Sequence, residues 1–212
     1  MKLYGYWRST AAYRVRIALN LKGVRYDTVA VDLSRGDQNR GDYAGLNPAR
    51  LVPALVLENG TVLTQSLAII DWLEGQYPNP ALVPDDPLRR ARVLAMAQVI
   101  ASDIHPINNL RVMQELEQRF RATAAQRAEW MRHWMRLGLD LLEREVDPAT
   151  PFAFTDTPTL ADICLVAQLY NARRWEMDLR PYPTLLKIDA AAAQIPAFRD
   201  AAPKAQPDST LD

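Results

Sequence analysis

The chain is poor in the residue types that most often crosslink a fold or hold a metal. Its 212 residues include one cysteine, Cys164, and two histidines, His105 and His133. A lone cysteine excludes an internal disulfide and a Cys-x-x-Cys pair, which suits a reducing compartment. With no histidine pair and no carboxylate cluster at ligand spacing, no metal site is expected. An excess of either charge is missing too. The 25 Lys and Arg balance 25 Asp and Glu, so the basic field that holds nucleic acid is absent. No apolar run approaches the ~18 residues of a membrane span. The N-terminal MKLYGYWRST lacks the apolar core of a secretory leader, and no glycine-rich phosphate loop occurs. The expectation is a soluble, cytoplasmic protein that partners neither nucleic acid nor membrane.

What is present is apolar material, 49% of the chain, enough for one large or two small cores. Lys2–Trp7 is short and aromatic-rich and predicts a strand. Tyr13–Lys22 carries Val15, Ala18 and Leu19 at helical spacing, with Gly23 as a left-handed stop. Tyr26–Leu33 alternates and predicts a second strand, parallel to the first through a right-handed crossover. Asp37–Leu46 is more weakly helical and ends at Asn47-Pro48. Ala54–Leu57 and Thr61–Thr64 flank Asn59-Gly60, the mark of a tight hairpin. Ser66 is expected to cap a helix over Leu67–Gln76. The order βαβ then ββα is a thioredoxin-like pattern.

Tyr77–Pro87 holds four prolines and no regular period, as a linker would. Beyond it strand signals cease. Leu88–Phe120 has helical spacing, with a kink expected at Pro106. Ala124–Glu145 predicts a long helix on which Trp130, Trp134, Leu137 and Leu141 recur at three or four residues. The expected organisation is an α/β thioredoxin-like domain over residues 1–78, a linker over 79–87 and an all-α domain over 88–212.

Three local patterns add detail. Leu51-Val52-Pro53-Ala54-Leu55 sets a proline directly before a strand, a position where proline is also simply tolerated. Gln65-Ser66 at a helix N-terminus combines an amide, a hydroxyl and unpaired backbone N–H groups, a natural site for a carboxylate. Serine caps ordinary helices as well. Thr159-Leu160-Ala161-Asp162 is a capping box that opens an apolar helix.

In this order and spacing the three patterns resemble the glutathione transferases. Ser9-Thr10-Ala11-Ala12-Tyr13-Arg14-Val15-Arg16-Ile17-Ala18-Leu19 is similar to the zeta-class signature Ser-Ser-Cys-Ser-Trp-Arg-Val-Arg-Ile-Ala-Leu. Asp103-Ile104-His105-Pro106-Ile107-Asn108-Asn109-Leu110 resembles the matching stretch of bacterial isomerases of that class. Ala172-Arg173-Arg174-Trp175, Tyr182-Pro183 and Gln206-Pro207-Asp208 fit the same group, so the resemblance spans residues 2–208.

The resemblance implies glutathione as cosubstrate and source of the nucleophile. A free thiol, with a pKa of ~8.5, is mostly protonated at neutral pH. Ser9 would donate to the thiolate beside a helix N-terminus, with Thr10 as the reserve donor; from the residues alone Ser9 reads as a helix cap. Val52 would exchange backbone hydrogen bonds with the cysteinyl unit, with Pro53 cis. Gln65 and Ser66 would take the γ-glutamyl carboxylate, and Gln38 would lie near the glycine end. Arg8 and Arg174 would hold the carboxylates of a small dianionic substrate by the guanidinium fork. His105 and Asn108 belong to the segment implied on the substrate side.

The implied reaction is cis–trans isomerisation of maleylacetoacetate in aromatic amino-acid (tyrosine) breakdown by a homodimer. Maleylpyruvate isomerisation in gentisate and salicylate catabolism is the alternative, and general glutathione transfer a third reading. Relatives acting on maleylpyruvate often carry arginine where this chain has Leu110. A non-catalytic interaction module of the same fold would be expected to lose Ser9, Gln65 and Ser66. One departure stands out: Ala11 and Ala12 replace the signature cysteine and the serine after it, which removes any protein thiol at that point.

Overall fold

A computed structural model describes residues 1–210, which divide into two compact units. The first comprises Met1–Leu82 together with residues 193–210; the second is Val83–Ala192.

In the first unit, β1 (Lys2–Gly5), α1 (Thr10–Leu21) and β2 (Asp27–Ala30) form the expected crossover, with β1 and β2 parallel. A 3₁₀ turn (Asp37–Asn39) and α2 (Gly41–Leu46) follow. Then come β3 (Ala54–Val56), β4 (Val62–Thr64) and α3 (Ser66–Gln76). The sheet order is β2-β1-β3-β4, with β3 antiparallel to both its neighbours. This is the thioredoxin-like arrangement.

Local chemistry explains the boundaries. α1 ends in a Schellman motif: Gly23 at φ +65° lets the Val24 N–H reach Leu19 O at 2.9 Å and its own N–H reach Asn20 O at 3.1 Å. Gly60 at φ +83° closes the hairpin, donating to Leu57 O at 3.0 Å. Gly5 lets α1 approach the sheet, since a Cβ there would lie 3.3 Å from the Ala12 Cβ. Tyr4 and Tyr43, with ring centroids 5.9 Å apart, belong to the cluster that seats α2 on the sheet with Val31 and Ala54.

The tail does not follow the expected division. α9 (Pro196–Ala201) packs on α1, where Asn20 Nδ2 donates to Ala197 O at 3.1 Å and Arg16 Nε to Ala201 O at 2.9 Å. The proline-rich stretch is also partly claimed by the first unit. Glu74 accepts from Leu82 N–H at 2.9 Å and pairs with Lys22, which also donates to Pro80 O at 2.6 Å. Sequence period could not reveal these attachments, because each is made by a single side chain to a backbone carbonyl or amide.

The regular elements of the second unit are all helical among its described residues. α4 (Pro87–Gln98) starts from Asp86, whose carboxylate accepts from Arg89 N–H at 2.8 Å. It runs into a π-helical turn (Val99–Ile104), and α5 (Leu110–Phe120) begins only after a break. The expected kink at Pro106 is therefore a full interruption. Proline has no N–H and its ring excludes the preceding turn's carbonyl. The chain adopts wide i→i−5 bonding instead, with His105 N–H on Ile100 O at 3.0 Å.

α6 (Ala124–Glu145) spans the expected residues, but its buried face is Met131, Met135, Gly138, Leu139 and Leu142. Leu137 and Leu141 are 52% and 45% exposed, so half of the anticipated stripe points outward. Gly138 decides the rotation: a Cβ there would overlap the Ile104 Cδ1 at 2.2 Å, so only glycine admits that contact. α7 (Leu160–Arg174) is the buried centre, and α8 (Pro183–Ala192) packs against it.

The capping box at α7 is formed by a carboxylate sealed from water. Asp162 accepts from Thr159 N–H at 2.7 Å, from the Thr159 hydroxyl at 2.9 Å and from Ala153 N–H at 2.8 Å. Burial pushes its carboxyl above the usual range, against the pull of these donors. Asp162→Ala is expected to destabilise the chain by about 3–5 kcal/mol, because two buried backbone N–H groups lose their acceptor. With the native pKa raised, this group's own contribution is complete below its unfolded value and fades as pH rises through the native one. The gap between wild type and variant should thus be widest in acid. Urea unfolding at several pH values checks both statements; a loss under 1 kcal/mol would contradict them.

Candidate functional site

β1 delivers the chain to a four-residue turn, Tyr6–Ser9, closed by Ser9 N–H on Tyr6 O at 2.9 Å. Ser9 is the N-cap of α1, with extended backbone (φ −69°, ψ 120°) and its Oγ accepting from Ala12 N–H at 3.2 Å. The cap uses a lone pair and leaves the hydroxyl proton free to donate elsewhere. Capping and donation are therefore compatible in one serine. Thr10, the first helical residue, is buried. The Arg8 guanidinium is half-buried, 5.5 Å from the Trp7 ring centroid and 5.8 Å from that of Tyr6.

Sheet register brings the next two motifs together. Ala54 pairs with Thr64 on β3 and β4, so the residues just before β3, Val52-Pro53, abut those just after β4, Gln65-Ser66. The Val52–Pro53 peptide is cis, as expected. The β3 ladder covers Ala54 to Val56 and leaves Val52 outside it.

At α3 the structure corrects the expected cap. Gln65 holds the N-cap position without a side-chain cap bond, at φ +68° and ψ 118°, a region most residues avoid. Ser66 is the first helical residue and is buried. Its Oγ accepts from Arg14 Nη1 at 3.1 Å. Arg14, on the first turn and a half of α1, is only 2% exposed. Through it the N-terminal ends of α1 and α3 are tied together.

Arg14 is the residue at these helix ends that sequence reasoning did not single out. The available signal was a pair of arginines, Arg14 and Arg16, inside the largely apolar stretch Ala11–Leu19, where a charged side chain must be either buried and bonded or on another face. Gln38 lies in the 3₁₀ turn after β2, and its Oε1 is sealed from water with no partner among the described residues.

The remaining expected residues belong to the second unit. His105 is half-buried at the end of the π-helical turn. Asn108 is buried and its Nδ2 donates to Met131 O at 3.4 Å, which commits that end of the amide to holding α6. Its Oδ1 has no partner among the described residues. Arg174 closes α7 with its guanidinium 5.3 Å from the Trp175 ring centroid and is solvent-exposed. Leu110 opens α5, 42% exposed.

Residues 8–76 match the glutathione S-transferase N-terminal domain family. A maleylpyruvate isomerase from Ralstonia sp is 50% identical over 99% of this chain and all of that one. The chain belongs to the glutathione S-transferase family. A solved structure described as a holo maleylpyruvate isomerase, a bacterial glutathione S-transferase of the zeta class, superposes with a TM-score of 0.96 at 48% identity, covering 99% of this chain and 100% of that one. The maleylacetoacetate isomerase of Methylobacterium extorquens AM1, solved with bound malonate and glutathione, gives 0.96 at 38% identity with both chains fully covered. Zeta-class glutathione S-transferases are thus the group to which this chain is assigned.

The first unit fits glutathione as such a transferase would. It presents two helix N-termini, a buried guanidinium bonded at one of them, and an orphaned buried acceptor on Gln38. Helix N-termini favour negative charge. The backbone of Gln65 carries its own prediction. A left-handed non-glycine residue costs about 1–3 kcal/mol, partly regained when glycine replaces it. Gln65→Gly is expected to stabilise the chain by about 1 kcal/mol, read as a higher urea midpoint at unchanged slope. A lower midpoint would mean that the glutamine side chain stabilises the turn more than its backbone strains it.

Proposed function

We propose that this chain catalyses glutathione-dependent cis–trans isomerisation of a maleyl dicarboxylate, maleylacetoacetate to fumarylacetoacetate, in aromatic amino-acid catabolism. The observation that carries the reading is the Arg14–Ser66 contact, which sets a cation at the positive end of α3 beside the Val52–Pro53 segment. A guanidinium at a helix N-terminus is unfavourable by itself, and an anion bound there reverses the sign. A γ-glutamyl carboxylate is such an anion, taken by Ser66, Gln65 and the first N–H groups of α3. Val52 offers the unpaired backbone edge to a peptide, and Gln38 an amide donor to the carboxylate at its glycine end.

Bound glutathione supplies a thiolate able to add reversibly beside a cis double bond, so that the carbon–carbon bond rotates before the thiolate departs. The chain's part is electrostatic and positional. Ser9 donates its hydroxyl proton where negative charge gathers on sulfur, supported by the N-terminus of α1, with Thr10 in reserve. Arg8 and Arg174 hold substrate carboxylates, and His105 and Asn108 serve on the substrate side. No protein thiol competes: Ala11 stands at the signature position, and Cys164 is buried in α7.

Maleylpyruvate is the second reading, favoured by the 50% identity to the Ralstonia maleylpyruvate isomerase. The same proposal makes the chain a cytoplasmic homodimer, checked by its mass in solution scattering. No helix among the described residues is long and apolar enough to cross a membrane.

Two measurements test the function. Steady-state rates on maleylacetoacetate and maleylpyruvate, with and without glutathione, should show fumaryl product only with glutathione and a higher kcat/KM for maleylacetoacetate. The reverse preference would move the assignment to maleylpyruvate, and no product from either would end it. Thiolate absorbance against pH should place the bound thiol below its free value of ~8.5. Ser9→Ala should raise it by about one unit, since a hydrogen bond to a charged group contributes ~1.5–3 kcal/mol. An unchanged thiol pKa in Ser9→Ala would transfer the donor role to Thr10 or the backbone.

A further inference from the structure

The turn that presents Ser9 is held from outside at both polar groups of one residue. The Trp7 N–H donates to Asp208 Oδ2 at 3.0 Å, across 201 positions of sequence. The Trp7 carbonyl accepts from Arg16 Nη2 at 3.0 Å, and the same guanidinium donates through Nε to Ala201 O at 2.9 Å. Trp7 is 4% exposed, so neither backbone group has water as an easy substitute. Trp7 and Arg8 are the central residues of the turn closed by Ser9 on Tyr6. Fixing the Trp7 peptide groups therefore fixes the direction in which Ser9 leaves the turn.

The tail is itself anchored where it reaches the turn. Gln206 is buried, and its Nε2 donates to Asp200 O at 2.9 Å and Ala202 O at 3.1 Å, folding the chain back after α9. Asp208 Oδ1 is sealed from water with no partner among the described residues. A carboxylate left half-satisfied in such a place contributes little as a plain stabiliser. Its value lies in the one bond it makes.

We infer that Asp208 is a positioning residue: by accepting from Trp7 N–H it holds the Tyr6–Ser9 turn so that the Ser9 hydroxyl faces the bound thiol. The inference deepens the proposed function and rests on it. It also ties donor geometry to the C-terminal strap on α1.

The test compares Asp208→Ala, Asp208→Glu and Asp208→Asn with wild type, Ser9→Ala and the Ser9→Ala/Asp208→Ala double variant. In the chain without glutathione, the Trp7 amide should exchange at least tenfold faster in Asp208→Ala and keep its protection in Asp208→Asn, which retains an acceptor of the same length. With glutathione bound, thiolate absorbance should report a thiol pKa raised by about one unit in Asp208→Ala and in Asp208→Glu, whose acceptor is displaced by a methylene at constant charge. Asp208→Asn should stay at or slightly below wild type, because it keeps the bond and removes a negative charge. The double variant should match Ser9→Ala, since both changes act through one hydroxyl. If Asp208→Ala fails to fold, the Glu and Asn variants decide by the same criteria.

A wild-type thiol pKa equal to that of free glutathione would sink the proposed function. A depressed wild-type value that Ser9→Ala restores and Asp208→Ala or Asp208→Glu leaves unchanged would overturn the positioning role alone. Full additivity in the double variant would do the same.

Discussion

A buried arginine joins the two helices on which the candidate site depends. Arg14 lies among the apolar residues of α1, 2% exposed, and reaches Ser66 Oγ on the first turn of α3. Removing a guanidinium from water costs several kcal/mol unless its donors are met, so this contact constrains both helices. α1 must present its second turn to α3, and α3 must begin where Ser66 can accept. The consequence is a pair of positive helix ends, held close to the segment between α2 and β3.

The same economy of contacts recurs around the first turn of the sheet. Gly5 brings α1 against β1, and Arg16 and Asp208 seize the backbone of Trp7 from two sides. Ser9 then emerges from a turn held at the Trp7 N–H, at the Trp7 carbonyl and at its own closing N–H. Such restraint is what an electrostatic donor needs, because preorganised dipoles stabilise charge without reorganising. In the second unit the restraint is of another kind. Asp162 closes a capping box in the dark of the core, and Gly138 lets α6 lie against Ile104.

Much of the fold was legible. The crossover, the Asn59-Gly60 hairpin, the α7 capping box and the full span of α6 follow from local rules, because turn chemistry and helical period act within a few residues. The faces were less legible. Leu137 and Leu141 share a period with Trp130 and Trp134, yet the helix turns them outward, since a partner's shape at Gly138 outweighs the count of apolar side chains. In the site, Ser9 and the Gln65-Ser66 pair could be found from motif and position. That Gln65 rather than Ser66 stands at the cap, with a left-handed backbone, depends on how β4 enters α3, which no local preference of glutamine would suggest.

By itself the sequence determined the class of the fold, the strand and helix order, and the polar residues available at each helix start, because period, turn residues and caps are encoded within one element at a time. It also set what the chemistry must do without, having neither a thiol at the signature position nor a second cysteine anywhere. The tertiary structure alone decided which of those residues meet. Arg14 finds Ser66 across 52 positions and Trp7 finds Asp208 across 201. Hydrogen bonds of that span leave no periodic trace in the chain, since they depend on distance in space and on burial that makes an unmet donor costly.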